Sequence, residues 1–214
     1  MATTEHCAYC GFAVERADRE HAIPKCLYPE SKSTSRIQRI TVPSCRACND
    51  GWSDDEAHFR NVLTMAAGEA PVSSELWYGR VSRSFDEVDG QRRLRDLYNQ
   101  MKPIDTDQGL RFKIYPGRDE LVMRIVRKVV RGLAHFHQVD TGVKDEQVWA
   151  DILTFQLPKE LINTVVLMHR EPDVLEYWYE SYSEGAMRSV WYLKFFQNVP
   201  FLAAIHTMPI DSTG

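Results

Sequence analysis

The amino-acid sequence predicts an α+β fold, in which a small cysteine-rich N-terminal module precedes an α+β region with one long helix and a small antiparallel sheet. Three observations carry this prediction. Four of the five cysteines form two Cys-x2-Cys pairs at 7–10 and 45–48, residues 118–138 have a helical apolar period, and three stretches after residue 173 are rich in aromatic and β-branched residues. We assign residues 1–70 to the first part and residues 71–214 to the second.

Composition and length limit the class of protein. A chain of 214 residues that is 43% hydrophobic and 26% charged has the composition of a soluble globular protein with a buried core. The first residues, MATTEHC, contain no apolar stretch of the kind that a signal peptide needs. The C-terminal run VPFLAAI is far shorter than the roughly 20 residues that cross a bilayer. We therefore expect a cytoplasmic protein without a membrane segment.

Charge is unevenly distributed along the chain, whose net charge is −4. Residues 80–139 contain 13 Lys and Arg against 8 Asp and Glu, whereas residues 140–184 contain 3 against 10. A basic segment of this kind favours an anionic partner such as nucleic acid. The alternative is that the charges lie on solvated faces or that the basic and acidic segments pair with each other.

The cysteine spacing indicates a metal site. Disulfides are rare in reducing compartments, and two Cys-x2-Cys pairs supply the four thiolates of a closed tetrahedral zinc site. We therefore predict a structural Zn²⁺ held by Cys7, Cys10, Cys45 and Cys48. Such an ion also stabilises a module that is too small to build its own core. The fifth cysteine, Cys26, is expected to be a small buried residue beside the site.

Two further elements are predicted in the first part. The stretch PESKSTSRIQR, residues 29–39, is polar and reads as an exposed loop. The stretch NDGWSDDEAHFRNVLTMAAG reads as a helix that begins at Ser53 or one turn earlier and ends near Gly68, with Ser53 and Glu56 at capping-box spacing. Its inward stripe consists of Phe59, Val62, Leu63 and Ala66.

The second part contains one strongly amphipathic helix. Its apolar face consists of Val122, Ile125, Val126, Val129 and Leu133. Its opposite face consists of Arg124, Arg127, Lys128, Arg131 and His135. A second helix is predicted at QRRLRDLYNQM, and strands are predicted at LRFKIYP, VLEYWYESY, RSVWYLKFFQ and VPFLAAIHTM. We expect the last three strands to form an antiparallel sheet that packs against the amphipathic helix.

An acid and a histidine, Glu20 and His21, lie between the two cysteine pairs and are followed by Pro24. With the segments CAYC, EHAIPK and VPSCRACNDGW, residues 7 to 60 resemble the HNH endonucleases. The resemblance implies a ββα-metal, treble-clef-like module supported by zinc. It covers about a quarter of the chain, and the last 150 residues carry no recognisable motif.

Position by position, the resemblance implies that His21 is the general base and that Glu20 and Asn49 bind a catalytic divalent ion, Mg²⁺ or Mn²⁺. The sequence departs from the family pattern at one place. The middle Asn of the family is expected five or six residues before the third zinc-binding cysteine, where this chain has Arg39 and Ile40.

These residue types suit phosphodiester hydrolysis. A neutral imidazole can take a proton from water near pH 7, and oxygen ligands suit Mg²⁺ or Mn²⁺. Lys32, Arg36 and Arg39 lie in the polar loop beside the expected site and are candidates for holding the backbone of DNA, with RNA as the other substrate. Nothing in the sequence indicates which bases are read.

Two other functions stay open at this point. A zinc treble-clef module that binds nucleic acid or a protein partner without cutting is favoured by the missing middle Asn. A structural subunit of a larger assembly is the third alternative, with the aromatic-rich C-terminal region forming an interface to a second copy or to a partner subunit.

Overall fold

The computed structural model describes residues 4–32, 35–107, 109–155, 157–158, 160 and 165–210. Positions 33 and 34 of the predicted polar loop lie outside these residues. The N-terminal part contains two antiparallel pairs of short strands, with β1 paired to β2 and β3 paired to β4. The strands are β1 (Glu5–His6), β2 (Ala13–Val14), β3 (Asp18–His21) and β4 (Thr41–Ser44), and the 3-10 turns are Lys25–Leu27 and Glu30–Lys32.

The predicted helix after the second cysteine pair is divided into two. The elements are α1 (Arg46–Asp50) and α2 (Ser53–Ala66). The predicted capping box is wrong, because Trp52 is the N-cap residue of α2 and no side chain caps the helix. The carboxylate of Glu56 contacts a different part of the molecule instead. The inward stripe is confirmed, since Phe59, Val62 and Leu63 are fully buried.

The middle region is a helical layer followed by a hairpin. It contains α3 (Pro71–Leu76), a π-helical turn (Trp77–Val81), α4 (Ser82–Ser84), α5 (Gly90–Gln100), β5 (Lys102–Thr106) and β6 (Gly109–Lys113). The predicted helix at QRRLRDLYNQM and the predicted strand at LRFKIYP are confirmed by α5 and β6. β5 and β6 form a separate antiparallel pair.

The amphipathic helix is confirmed as α6 (Glu120–Phe136), which follows a 3-10 turn (Pro116–Arg118). Asp119 caps its N-terminus by accepting hydrogen bonds from the backbone N–H groups of Leu121 (3.0 Å) and Val122 (3.3 Å). All five residues of the predicted apolar face are completely buried. Burial of that face is the main reason that a helix of this sequence is stable here.

The predicted C-terminal sheet is confirmed and has five antiparallel strands in the order β7-β11-β10-β9-β8. After a 3-10 turn (Asp145–Gln147), the strands are β7 (Val148–Ile152), β8 (Met168–His169), β9 (Leu175–Ser181), β10 (Met187–Phe195) and β11 (Val199–His206). The central strand β10 buries alternate residues, among them Trp191, Leu193 and Phe195, toward the helix layer.

Helix α6 lies between the sheet and the N-terminal module. It contacts β7 and β11 on one side and α2 and β4 on the other. Gly132 permits the closest approach, because a methyl group at this position would lie 2.9 Å from the Cβ of Ala22 and 3.1 Å from the hydroxyl of Tyr9. The buried apolar residues of both halves form one continuous core.

Within the described part of the chain, no helix combines the length and the apolar character that crossing a membrane requires.

Candidate functional site

The four predicted zinc-binding cysteines come together. The turn between β1 and β2 carries Cys7 and Cys10, while Cys45 is the N-cap residue of α1 and Cys48 lies within that helix. Their four Sγ atoms all lie within 4.8 Å of one another, and those of Cys10 and Cys45 are 3.8 Å apart. Four sulfurs around one tetrahedral zinc at about 2.3 Å each would be about 3.8 Å apart. The cluster therefore has the composition and spacing of a zinc site.

The thiols of this cluster affect one another's ionisation. Burial alone would raise the pKa of Cys7, but backbone hydrogen bonds from Cys45, Cys10 and Tyr9 lower it to about 6. Burial and the neighbouring thiols raise the pKa values of Cys10 and Cys48. Four thiolates at this distance repel one another unless a cation lies between them, which is what a zinc ion supplies.

Cys26 is not part of the cluster. Its Sγ donates to the backbone carbonyl of Glu56 at 3.3 Å, and burial raises the pKa of its thiol to about 12. It is thus a neutral side chain that packs against α2, and its predicted position beside the four cysteines stays a prediction.

The acid–histidine pair lies at the end of β3. In the β3–β4 register Glu20 lies opposite Val42 and His21 opposite Thr41, and the pairing is continued by a 3.1 Å hydrogen bond from the Ala22 N–H to the Ile40 carbonyl. Burial is the main cause that lowers the pKa of His21. The imidazole is therefore neutral near pH 7, as a general base has to be.

Glu20 contacts a residue that the sequence did not connect with it. The ammonium of Lys128, on α6, donates to Oε1 of Glu20 and to Oε1 of Glu56, and lies 3.4 Å from the carbonyl oxygen of His21. The Lys128 side chain is 0% exposed, and both carboxylates are largely buried. The indole of Trp52 lies under the same ammonium, at 5.6 Å. Glu20, Glu56 and Lys128 thus form a buried charged triad, which lies next to the backbone carbonyl of His21.

With all three groups ionised, the triad carries one negative charge in excess. Burial raises the pKa of Glu56, and the nearby Glu20 raises it further, whereas Lys128 lowers it. Removal of charges from water is costly unless they are paired, so the ammonium stabilises both carboxylates here. A cation that is shared by two carboxylates has the same electrostatic role that a divalent ion would have at this place.

Asn49 lies in α1, directly after Cys48. Its backbone N–H donates to the Cys45 carbonyl at 2.9 Å, and its side chain is half-buried. Among the described residues, the Asn49 side chain has no hydrogen bond to Glu20 or His21, and the four cysteines are the only cluster of three or more His, Cys, Asp or Glu ligand atoms. The roles of Glu20, His21 and Asn49 stay predictions.

Two of the three predicted nucleic-acid-binding cations have acidic partners in the second half of the chain. Lys32 lies 2.8 Å from Asp173 and 3.4 Å from Glu171. Arg39 lies over the ring of Tyr28 at 3.8 Å and at the same distance from Glu171. The third, Arg36, is exposed and available to a ligand.

The polar face of α6 is also occupied. Arg127 and Arg131 contact the carboxylate of Asp145 at 2.8 and 3.3 Å, and Arg124 pairs with Asp55. The internal pairing of the basic and acidic segments is therefore confirmed for Arg127 and Arg131. The Arg124–Asp55 pair joins this face to α2 of the N-terminal module.

Sequence reasoning missed the site roles of Glu56 and Lys128. The sequence analysis assigned Glu56 to a capping box and Lys128 to the basic face of its helix, so neither was considered as part of the site. The helical periodicity held one signal that Lys128 is buried, because this residue lies next to Val129 at the border of the apolar stripe of α6.

Comparisons of the chain with protein-family models, with curated proteins and with solved structures gave no match.

Proposed function

We propose that the protein is a metal-dependent endonuclease that hydrolyses phosphodiester bonds in DNA. In this proposal His21 is the general base, and Glu20 and Asn49 hold Mg²⁺ or Mn²⁺. The observation that carries it is a partly buried imidazole of lowered pKa that directly follows a carboxylate at the end of β3, beside a four-cysteine cluster.

The chemistry follows from these groups. The neutral imidazole of His21 takes a proton from the attacking water. Glu20 and Asn49 would hold the divalent ion, which would supply Lewis-acid stabilisation of the charge on the phosphate and on the leaving oxygen. The cysteine cluster fixes the β1–β2 turn and the start of α1, the helix that contacts β3 and carries Asn49.

The contact of Glu20 with Lys128 is compatible with this role. The ammonium contacts Oε1 of Glu20, and Oε2 is not used in that contact. Oε2 is thus available to a divalent ion while Lys128 stays in place. The ammonium then lowers the affinity for the ion but adds positive charge close to the phosphate.

The test is a plasmid-nicking assay with Mg²⁺ or Mn²⁺ on the wild type, on His21→Ala and on His169→Ala. His169 is exposed on β8 and is the matched control. Loss of a general base lowers rates by about 10²- to 10⁴-fold, so we expect His21→Ala to lose activity and His169→Ala to retain it, with zinc content unchanged in both. Equal nicking by the two variants would remove His21 from the mechanism.

A non-catalytic zinc module that binds nucleic acid or a protein is the second candidate. The observation that favours it is the Lys128 ammonium, which already forms ion pairs with both Glu20 and Glu56. The replacement of the family's middle Asn by Arg39 or Ile40 favours it as well. If the pure protein binds DNA but does not nick it in the presence of any divalent ion, that result would select this function over the first.

A further inference from the structure

A wide cleft of about 900 Å³ lies between α2 and the segment that runs from the π-helical turn to α5. Five arginines line it: Arg60, Arg80, Arg83, Arg92 and Arg93. Such a density of guanidinium groups in one concave surface favours an anionic ligand. None of the residues predicted from the sequence to act in catalysis lines this cleft.

Three of the arginines form ion pairs with exposed acidic side chains. The pairs are Arg83 with Glu30 at 2.9 Å, Arg92 with Asp89 at 3.8 Å, and Arg93 with Glu87 at 2.9 Å. Arg60 and Arg80 are the cleft arginines that pair with no acidic side chain in the described part of the chain.

Arg60 is 9% exposed, and its Nε and Nη2 donate to the side-chain oxygen of Asn61 at 3.0 and 2.8 Å. An amide oxygen satisfies these two donors but does not neutralise the charge. Arg80 is half-buried, and no acidic side chain in the described part of the chain pairs with it. Nη1 of Arg60 and the whole guanidinium of Arg80 remain for a ligand.

A buried guanidinium without a counter-charge destabilises a protein, and an anion that binds it offsets that cost. Burial is the largest cause that lowers the pKa of Arg60; the charges of Arg80 and Arg93 lower it further, whereas those of Cys26 and Glu87 raise it. Guanidinium groups match phosphate oxygens in geometry as well as in charge.

In the described part of the chain, no acidic residue of the cleft forms an ion pair with Arg60 or Arg80. Asp54 and Asp96 line it but are exposed, so water already solvates them. A cation that entered the cleft would meet the uncompensated arginines at greater depth. Arg80 also belongs to the π-helical turn Trp77–Val81, a rare geometry that is frequent at functional sites.

We infer that Arg60 and Arg80 form a phosphate-binding site, and that the phosphate belongs to the nucleic-acid strand on which the protein acts. The second statement rests on the proposed function, whereas the first does not. The site binds the backbone away from the scissile bond, so it contributes affinity and orientation and no catalytic group.

The first experiment measures thermal unfolding of the full chain with increasing inorganic phosphate, at constant ionic strength set by chloride. The variants are Arg80→Gln and, as matched control, Arg95→Gln, whose side chain is exposed on α5 and outside the cleft. We expect phosphate to raise the unfolding temperature of the wild type and of Arg95→Gln. In Arg80→Gln the apparent phosphate affinity should fall about tenfold, as for the loss of one charge-assisted hydrogen-bonded group. Equal phosphate responses of the two variants would overturn the site.

Arg60→Met provides an independent check that does not depend on Arg80. Because the substitution removes an uncompensated buried charge, we expect it to fold with unchanged or higher stability and to lose the phosphate response. A stable Arg60→Met protein that still responds to phosphate as the wild type does would also overturn the site.

The second experiment measures the binding of a labelled DNA duplex by fluorescence anisotropy at several salt concentrations, in His21→Ala so that no cleavage occurs. Adding Arg80→Gln should weaken binding and reduce the salt slope by about one unit, and adding Arg95→Gln should not. Unchanged DNA affinity with lost phosphate binding would overturn the nucleic-acid assignment and leave the phosphate site. Phosphate binding by a wild type that nicks no DNA would instead overturn the proposed function alone.

Discussion

The ammonium of Lys128 contacts the carboxylate of Glu20, although 108 positions separate the two residues in the chain. This contact links α6 to the strand that carries the acid–histidine pair. Because the same ammonium also holds Glu56 on α2, three elements meet at one buried charge. The triad therefore sets the position of β3 relative to both helices, and with it the position of His21.

Replacement of Lys128 by Met should destabilise the protein by about 3–5 kcal/mol, since it leaves two buried carboxylates without a counter-charge. The loss should be smaller at acid pH. The raised pKa of Glu56 rises further without Lys128, so Glu56 takes up a proton as the pH falls and the repulsion ends. Chemical denaturation at pH 7 and pH 5 measures both effects, with the exposed Lys113→Met as control.

The same variant tests the divalent-ion site. Without the ammonium, the two carboxylates should bind Mn²⁺ more tightly, and Mn²⁺ should restore part of the lost stability. Thermal unfolding with increasing Mn²⁺ is the measurement. A response no larger than that of Lys113→Met would argue against a cation site at Glu20.

The activity should depend on pH through His21. Burial holds the pKa of His21 below its ordinary value of about 6.5, so the imidazole is neutral at neutral pH, as the proposed general base has to be. We expect the nicking rate to be constant from about pH 6.5 to 8 and to fall tenfold per pH unit on the acid side. A plateau that begins only well above pH 6.5 would show that a different group limits the rate.

His21 also contributes to stability with a defined sign. Between the lowered pKa of His21 in the folded chain and its higher pKa in the unfolded chain, unfolding takes up a proton at this imidazole. The contribution of neutral His21 to the free energy of unfolding is therefore complete above about pH 6.5 and is lost as the pH falls. His21→Ala should reduce the acid sensitivity of unfolding in this range, and His169→Ala should not.

Removal of the metal should unfold the N-terminal module. Cys45→Ser leaves three thiolates, and we expect it to lose bound zinc and to unfold at a much lower temperature than the wild type. Cys26→Ala is the matched control, because Cys26 is the one cysteine outside the cluster. Metal analysis should give one zinc per chain for the wild type and for Cys26→Ala. Full zinc content in Cys45→Ser would contradict the four-cysteine site.

Gly132→Ala should weaken the contact between α6 and the N-terminal module. The added methyl group would lie 2.9 Å from the Cβ of Ala22 and 3.1 Å from its Cα, and the backbone has to move to accept it. Overpacking of this kind costs about 1–3 kcal/mol, which exceeds the helix propensity gained from Ala. In Gly79→Ala, by contrast, the new methyl group meets nothing closer than 3.9 Å, so denaturation should show little change or a small gain.

Periodicity and spacing were enough to predict several of the regular elements and the four-cysteine cluster. A Cys-x2-Cys pair brings its own two sulfurs together within one turn, and an amphipathic helix shows its buried face within about five turns of sequence. The four cysteines, α5, α6, β6 and the strands β9 to β11 were predicted for this reason. The prediction of a capping box was wrong because the Glu56 carboxylate contacts Lys128 on α6 instead of capping its own helix.

The partners of the charged residues depended on the folded chain. The sequence predicted that Lys128, Arg127 and Arg131 lie on one basic face of α6. In the folded chain Lys128 pairs with Glu20, whereas Arg127 and Arg131 pair with Asp145. Likewise, only packing left Arg60 buried beside an uncharged amide. The physical reason is that a charge interacts with whatever lies within a few ångströms, and residues far apart along the chain become neighbours only when α6 packs between the module and the sheet.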